Sequence, residues 1–263
     1  MKIATWNVNS IRTRQAIVCD WLAANPVTAL CLQETKVEDA SFPRAPFEDL
    51  GYHLAIAGQK AYNGVAILSR TPLEDVLIGF ESLLGEAAQE FSAQKRVIAG
   101  TLNGLRLVNL YVPNGSAPGS EKYEYKLRWL AALGDYLRAL RDRQPAELCL
   151  CGDFNVAPED RDIYNPQGKE THIMATPAER QALQQVLALG LQDPLRKFTQ
   201  AEDLFSWWDY RQGGFSRNRG WRIDHHYLTP GLYARATSCT IDREPRKLEK
   251  PSDHTPVILE LAP

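Results

Sequence analysis

Residues 3–34 read IATWNVNSIRTRQAIVCDWLAANPVTALCLQE and contain the pattern on which the predicted fold rests. The apolar runs at residues 3–8 and 28–32 are typical of strands. Between these runs, a helical spacing of apolar side chains is formed by Ile17, Val18, Trp21 and Leu22. Ser10 can cap this helix, which should stop before Pro26. The order strand, helix, strand predicts a crossover unit within a sheet.

Short apolar or alternating runs continue along the chain and predict further strands. They lie at residues 52–57, 65–68, 97–102, 105–112, 148–151, 223–228 and 257–261. Two more helices are predicted, the first from the three- and four-residue spacing of apolar side chains between Tyr123 and Leu140, ending by Pro145. The second begins with a capping box at residues 176–179 and runs to Gly190.

This mixture of one crossover unit with many successive strands predicts an α/β (α+β) fold, in which a few helices cover the sheets. No glycine- or serine-rich linker divides the chain, and strand candidates continue to Leu261. Residues 1–263 are therefore expected to form a single domain.

The composition excludes several classes of protein. Of the 263 residues, 44% are hydrophobic and 24% charged, which excludes disordered and collagen-like chains. No apolar run approaches the roughly 18 residues of a membrane span, and the N-terminus lacks the apolar core of a secretory signal. Five cysteines without the spacing of a zinc site are typical of small buried side chains in a reducing compartment. We therefore expect no membrane partner and a cytoplasmic location.

The net charge of -2 does not by itself indicate a polyanionic partner. Residues 211–223, however, read RQGGFSRNRGWRI and carry four arginines and no acid: Arg211, Arg217, Arg219 and Arg222. Charge alone fits a solvated loop equally well. Aromatic rings interleave with these arginines, namely Trp207, Trp208, Phe215 and Trp221. Guanidinium groups beside flat rings favour a surface that binds nucleic acid.

Polar side chains gather where the predicted strands end. They are Asn7 and Asn9, Gln33 and Glu34, Tyr111 and Asn114, Asp153 and Asn155, Asp224, and Asp253 with His254. Taken singly, each is typical of a turn, a cap or a solvent-facing end. Those separate interpretations leave unexplained why four carboxylates recur in the same context. Since strand ends and the loops beyond them form the clefts of layered α/β proteins, the pattern favours one shared site.

Four converging carboxylates need a compensating cation. Like charges about 4 Å apart repel by about 4 kcal/mol at an effective dielectric constant of 20. Oxygen ligands without thiolates or paired histidines select Mg²⁺ or Mn²⁺ over zinc. Because Mg²⁺ usually takes one or two carboxylates together with substrate phosphate, the pattern predicts a phosphate ester as substrate.

Six motifs resemble those of a known family. WNVNSIR, LQETK, YVPNG, GDFNVAP, GWRID and SDHTPV occur in the order found in the exonuclease III family of abasic-site endonucleases, part of the endonuclease/exonuclease/phosphatase superfamily. The resemblance spans residues 1–261, and FSWWDYR with KLEKPSDH favours the exonuclease III branch over the phosphatases. It implies a DNase I-like fold, a four-layer α/β sandwich with two central mixed β-sheets flanked by helices.

The resemblance also implies a role for each residue of the shared site. Glu34 is implied as the principal metal ligand, completed by Asn7 and Asp253 directly or through water, with Asp153 and Asn155 at the same centre. Asp153 would orient and deprotonate the attacking water, and Asn155 would help to hold the phosphate.

The remaining site residues would act on the phosphate. Asp224 would pair with His254 and fix its imidazole against a phosphoryl oxygen. Tyr111 would bind the phosphate or assist the leaving group, with Asn114 beside it. His225 and His226 receive no role, since strand packing or surface exposure accounts for them.

The implied function is a DNA-repair phosphodiesterase that cuts 5′ to abasic sites in double-stranded DNA and leaves a 3′-hydroxyl. Exonuclease and 3′-phosphodiesterase activities belong to the same expectation, and so does a monomeric state. Two alternatives stay open: a superfamily phosphatase that acts on a small or lipid phosphate, and a catalytically inactive DNA-binding module. Selectivity for an abasic sugar would need a pocket wall, for which Trp207, Trp208 and Trp221 are candidates unless two of them are core.

Overall fold

The computed structural model describes residues 1–143 and 146–263. Its strands are β1 (Lys2–Asn7), β2 (Ala29–Gln33), β3 (His53–Ala57), β4 (Val65–Ser69), β5 (Glu74–Ile78), β6 (Val97–Leu102), β7 (Leu105–Tyr111), β8 (Leu148–Asp153), β9 (Asp224–Leu228), β10 (Ala236–Ile241) and β11 (Val257–Leu261). Its helices are α1 (Ile11–Ala24), α2 (Ala45–Asp49), α3 (Glu81–Leu84), α4 (Gln89–Ser92), α5 (Glu121–Arg143), α6 (Pro177–Leu187), α7 (Leu195–Phe198) and α8 (Pro230–Arg235).

The strands form two mixed sheets. The first has the order β10-β11-β1-β2-β4-β3, and the second has the order β5-β6-β7-β8-β9. Helix α1 joins the parallel pair β1 and β2, and helix α5 joins the parallel pair β7 and β8. Every other pairing is antiparallel among the strands described.

Four layers result from the packing of these elements. The inner faces of the two sheets share a core that includes Ile3, Cys31, Ile98, Leu107 and Cys149. The outer face of the first sheet is covered by α1, and that of the second by α5 and α6. This is the predicted four-layer α/β sandwich with two central sheets, and the prediction is confirmed. None of the helices in the described ranges has both the length and the apolar character of a membrane span.

All nine predicted strands and the three predicted helices are present. Two of the described strands, β5 and β10, were not predicted. Strands β5 and β10 lie at the outer edges of the two sheets, and their side chains are largely exposed or only partly buried. Edge strands need no continuous apolar run, so they lack the signal on which the prediction relies. Helix α6 ends slightly before the predicted Gly190, and Pro145 lies outside the described residues.

Ser10 is not a side-chain cap of α1, and that prediction was wrong. No helix N–H donates to its hydroxyl, and its φ of +90° lies in the left-handed region. The N–H groups of Ser10 and Ile11 donate instead to the carbonyls of Glu34 and Thr35, at 2.8 and 3.1 Å. The start of α1 is therefore held by the turn after β2.

The two sheets bring their strand ends together at one edge. Asn7 pairs with Gln33 in the first sheet, and Tyr111, Asp153 and Asp224 align across the second. A polar link crosses the core just below this edge: the Gln33 amide donates to Asn109 Oδ1 at 2.7 Å. Both side chains are fully buried, so this hydrogen bond fixes the relative height of the sheets at the site.

Candidate active site

Asn7 is the residue that connects the carboxylates of the two sheets. Its Nδ2 donates to Glu34 Oε1 at 2.9 Å and to Asp153 Oδ2 at 2.9 Å. The side chain is completely buried at the end of β1, and its Oδ1 accepts from the N–H of Asn9. An amide in this position holds two acids close together without adding charge.

Glu34 follows β2 in a left-handed turn, with a φ of +50°. Its Oε2 forms an ion pair with Lys36 Nζ at 2.8 Å. Burial alone would raise the pKa of Glu34, but the charge of Lys36 and the hydrogen bond from Asn7 outweigh it and lower the pKa. Glu34 is therefore a carboxylate at neutral pH, as a metal ligand has to be.

Asp153 ends β8 and is almost completely buried. The backbone N–H of Asn155 donates to its Oδ1 at 2.9 Å. Burial raises the pKa of Asp153 to about 7, since the opposing pull of His254 is partly offset by the charges of Asp224 and Glu34. A carboxylate whose pKa lies near neutrality is suited to accept a proton from water.

His254 stands between two acids. Its Nδ1 lies 2.8 Å from Asp224 Oδ2, and its Nε2 lies 3.8 Å from Asp153 Oδ2. Burial would lower the pKa of His254, but the charges of Asp224 and Asp153 raise it to about 10. The imidazole is thus held protonated, with Asp224 fixing its orientation.

Ser206 belongs to the hydrogen-bond network of the site, and sequence reasoning missed it. Its hydroxyl donates to Asp224 Oδ2 at 2.7 Å and accepts from the backbone N–H groups of Ile223 and Asp224. Ser206 therefore holds the acid that orients His254. The residue lies inside the quoted FSWWDYR motif, but a serine before two tryptophans carries no distinctive signal of its own.

Asp253 lies at the rim of this group. Asn9 donates to its Oδ1 at 2.9 Å, and the Trp207 indole donates to its Oδ2 at 3.0 Å. Ligand atoms of Glu34, Asp153 and His254 lie within 4.8 Å of one another, and Asp253 is not in that cluster. The structure places Asp253 beside the site, with both carboxylate oxygens already accepting hydrogen bonds.

Tyr111 and Asn114 border the other side of the site and line a cavity of about 400 Å³. The guanidinium of Arg96 lies 4.6 Å from the centre of the Tyr111 ring. Burial, together with the nearby charges of Glu34 and Asp153, raises the pKa of Tyr111 well above its ordinary value. The phenol therefore keeps its proton and can donate a hydrogen bond.

The arginine-rich segment divides into exposed and buried members. Arg211, Arg217 and Arg219 are exposed, and Arg211 pairs with Asp209 at 3.2 Å. Arg222 is only 2% exposed and pairs with Asp162 and Asp193, each at 2.7 Å. The prediction that Arg222 contacts phosphate was wrong, because Arg222 is buried and two carboxylates already occupy its guanidinium.

The three tryptophans Trp207, Trp208 and Trp221 also differ in burial. Trp208 is fully buried, its indole N–H donating to Asn218 Oδ1 at 3.2 Å, so it is core and cannot line a pocket. Trp207 and Trp221 are partly buried and face each other across a β-bridge. They pack on an apolar group that includes Ile173 and Met174. Trp207 and Trp221 therefore form a partly exposed aromatic surface next to Asp253, which we call the tryptophan wall.

The donor set suits a hard divalent cation. Glu34 and Asp153 supply carboxylate oxygens within reach of each other, and the Asn7 amide bridges them through its Nδ2, while its carbonyl oxygen accepts from the N–H of Asn9. No thiolate takes part in this cluster. Buried carboxylates this close together carry a repulsion that a bound cation would relieve.

Comparison with known proteins agrees with this geometry. Residues 4–254 match the endonuclease/exonuclease/phosphatase family. Exodeoxyribonuclease III of Haemophilus influenzae is 35% identical, with 99% of each chain covered. An AP endonuclease from Archaeoglobus fulgidus superimposes with a TM-score of 0.93 at 42% identity, covering 100% of both chains. A 3′ phosphatase from Neisseria bound to a product DNA hairpin gives a TM-score of 0.93 at 42% identity, over 100% of this chain and 99% of that one. The chain therefore belongs to the endonuclease/exonuclease/phosphatase family, in its exonuclease III branch.

Proposed function

We propose that this protein is a metal-dependent DNA-repair hydrolase that cleaves the phosphodiester 5′ to an abasic site in double-stranded DNA and leaves a 3′-hydroxyl. Removal of 3′-blocking groups and 3′ to 5′ exonuclease action belong to the same proposal. The observation that carries it is the arrangement of Asn7, Glu34, Asp153, His254 and Asp224 at the joint edge of the two sheets. Relatives named as exodeoxyribonuclease III and AP endonuclease support it.

Each residue has a chemical task in this mechanism. Asp153 accepts the proton of the attacking water, and the N–H of Asn155 holds its carboxylate in place. His254 donates from Nε2 to a phosphoryl oxygen, because its Nδ1 is engaged by Asp224. The Tyr111 phenol donates to the phosphate or to the leaving oxygen. Donors that meet growing negative charge stabilise the transition state.

Glu34 and Asp153, with Asn7 beside them, would hold the cation. We propose Mg²⁺, with Mn²⁺ as the alternative that the same oxygen donors accept. When bound, the ion would polarise the phosphate and neutralise the charge that develops on its oxygens. Asp253 would contribute from the rim, through water.

DNA would lie across the exposed arginines and the tryptophan wall. Arg211, Arg217 and Arg219 would contact phosphates, which gives affinity without selectivity. Trp207 and Trp221 would admit a sugar that has lost its base and exclude one that carries a base. Asn114 would contact the DNA beside Tyr111. The DNA-bound Neisseria relative supports this class of partner.

We further propose that residues 1–263 act as one catalytic domain, because both sheets contribute to the same site. A monomer in the cytoplasm is part of the proposal. The cysteines are all free, which suits a reducing compartment. Size-exclusion chromatography with light scattering tests the monomeric state.

The decisive test compares three substrates: a duplex with a single abasic site, the same duplex intact, and a phosphoinositide, each with Mg²⁺ or with EDTA. We expect incision only of the abasic duplex at early times, with a 3′-hydroxyl product, and no reaction in EDTA. Phosphate release from the phosphoinositide alone would make the protein a superfamily phosphatase. Tight DNA binding without incision would make it a binding module.

A further inference from the structure

A buried lysine lies beneath the candidate active site without belonging to it. Lys126 is completely buried on α5, and its Nζ donates to three acceptors. These are the carbonyl of Asn114 at 3.1 Å, the carbonyl of Asn155 at 2.7 Å, and Glu179 Oε1. An ammonium has three N–H donors, so its donors and acceptors match in number.

Two of the acceptors belong to loops that carry site residues. The side chains of the same two residues are also joined, because Asn114 Nδ2 donates to Asn155 Oδ1 at 3.0 Å. Asn155 is in turn bonded through its N–H to Asp153 and has a φ of +49°. A residue held in the left-handed region keeps that conformation only when its surroundings enforce it.

The third acceptor connects the lysine to the tryptophan wall. Glu179 Oε1 also accepts from the N–H of Met174 at 3.0 Å, and Met174 has a φ of +74°. Met174 packs with Ile173, Trp207 and Trp221. The carbonyl of Met174 accepts from Ala157 at 2.7 Å, which closes the connection back to the loop after β8.

We infer that Lys126 is a positioning residue. Its three hydrogen bonds hold the Asn114 loop, the Asn155 loop and, through Glu179, the tryptophan wall in one arrangement. The inference rests on the proposed function. Lys126 touches neither the reacting atoms nor the DNA, so its effect reaches catalysis through Asn155 and Asp153. Misplacement of a site group by about 1 Å can cost about 100-fold in rate.

The main variant is the double substitution Lys126→Met with Glu179→Gln, which removes the ammonium without leaving a buried carboxylate unpaired. We expect its kcat on the abasic duplex to fall about 10- to 100-fold. The dissociation constant for the intact duplex in EDTA should change less than about threefold, because the exposed arginines that would contact phosphates are not bonded to Lys126. Lys126→Arg supplies five donors and should restore kcat to within about threefold of wild type.

Two further variants keep the test decisive. Lys126→Gln has only two N–H donors for three acceptors, so its kcat should also fall, and it serves if the double variant does not fold. Arg106→Met is the matched control, because Arg106 is 2% exposed and pairs with Asp75 at the opposite end of β7 from Tyr111. Its urea midpoint should fall while its kcat stays at the wild-type value.

The positioning role would be overturned if the folded double variant, or Lys126→Gln, had the same kcat as Arg106→Met. A rise in the dissociation constant for the intact duplex as large as the fall in kcat would overturn it too, since it would indicate a disordered DNA surface. Absence of incision by the wild-type protein would overturn the proposed function itself, and with it the role given to Lys126.

Discussion

At the scale of single residues, Asp153 has the environment of a base and Glu34 that of a ligand. Both carboxylates receive a hydrogen bond from the same Asn7 amide, yet their pKa values move in opposite directions. Asp153 lies wholly in the interior near other acids, which raises its pKa, whereas Lys36 beside Glu34 lowers that of Glu34. One amide thus holds two acids whose pKa values are shifted in opposite directions.

Asp153→Asn should lower kcat by about three orders of magnitude or more, because the amide keeps the shape but cannot accept a proton. Folding should survive, since the substitution removes a carboxylate that is buried among other acids. The measurements are incision kinetics, duplex binding in EDTA and urea unfolding. A near wild-type rate would show that Asp153 is only a turn residue.

Glu34→Gln should raise the Mg²⁺ concentration needed for half-maximal rate by about tenfold or more, because a neutral amide is a poorer ligand for a hard cation. A metal titration of the incision rate measures this. Glu244→Gln is the control, since Glu244 forms only an exposed pair with Lys247. If the rate falls while the metal titration is unchanged, the ligand role belongs to another residue.

At the scale of elements, the site exists because two parallel pairs, β1 with β2 and β7 with β8, end at the same edge. The loops beyond those strands then have different tasks. The proposed base, Asp153, is the last residue of β8, whereas residues 205–223 carry the tryptophan wall and the exposed arginines. Under the proposed function, selectivity and affinity for DNA therefore lie on neighbouring but separable parts of one segment.

Trp207→Ala should reduce the preference for abasic over intact duplex by about tenfold or more, because a wall of the sugar pocket is lost. Arg217→Ala should weaken binding to both duplexes alike and flatten the salt dependence, since a phosphate contact does not depend on the base. Rates and dissociation constants on both duplexes, at several salt concentrations, separate the two effects. Equal losses on both duplexes for a stably folded Trp207→Ala would rule out the pocket wall.

At the scale of the whole molecule, two buried histidines make stability depend on pH in opposite ways. Burial and the neighbouring Arg222 lower the pKa of His225 to about 3, whereas nearby acids raise that of His254 to about 10. Below pH about 6.5 the unfolded chain binds a proton at His225, whereas the folded protein leaves His225 neutral until the pH approaches about 3. His225 therefore makes the protein less stable as the pH falls from about 6.5, and His254 makes it less stable as the pH rises towards about 10.

His225→Gln should flatten the acid side of the stability profile. The difference in unfolding free energy between wild type and variant should change by up to about 1.4 kcal/mol per pH unit between about pH 6 and pH 4. Urea unfolding at half-unit pH steps measures it. His53→Gln is the control for the chemical change from histidine to glutamine, because His53 is exposed. Parallel profiles for wild type and His225→Gln would contradict the assignment.

The sequence by itself determined nine of the eleven described strands, the three longest described helices, and the polar residues that follow the strand ends. Apolar runs reveal strands because a strand buried on both faces needs them, and polar groups directly after such runs have to lie at a sheet edge. The capping box at Thr176 and Glu179 was equally readable, since its hydrogen bonds are local. Such features depend on neighbours along the chain.

Only the tertiary structure decided which charged and aromatic side chains are free. Arg217 and Arg222 lie in the same basic segment, but of these two only Arg222 forms an ion pair with Asp162, which lies 60 residues away in the sequence. Lys126 likewise pairs with Glu179, 53 residues away in the sequence. Trp208 is buried, although the adjacent Trp207 is partly exposed. The partner of a buried charge is set by packing between distant segments, and a local pattern carries no information about it.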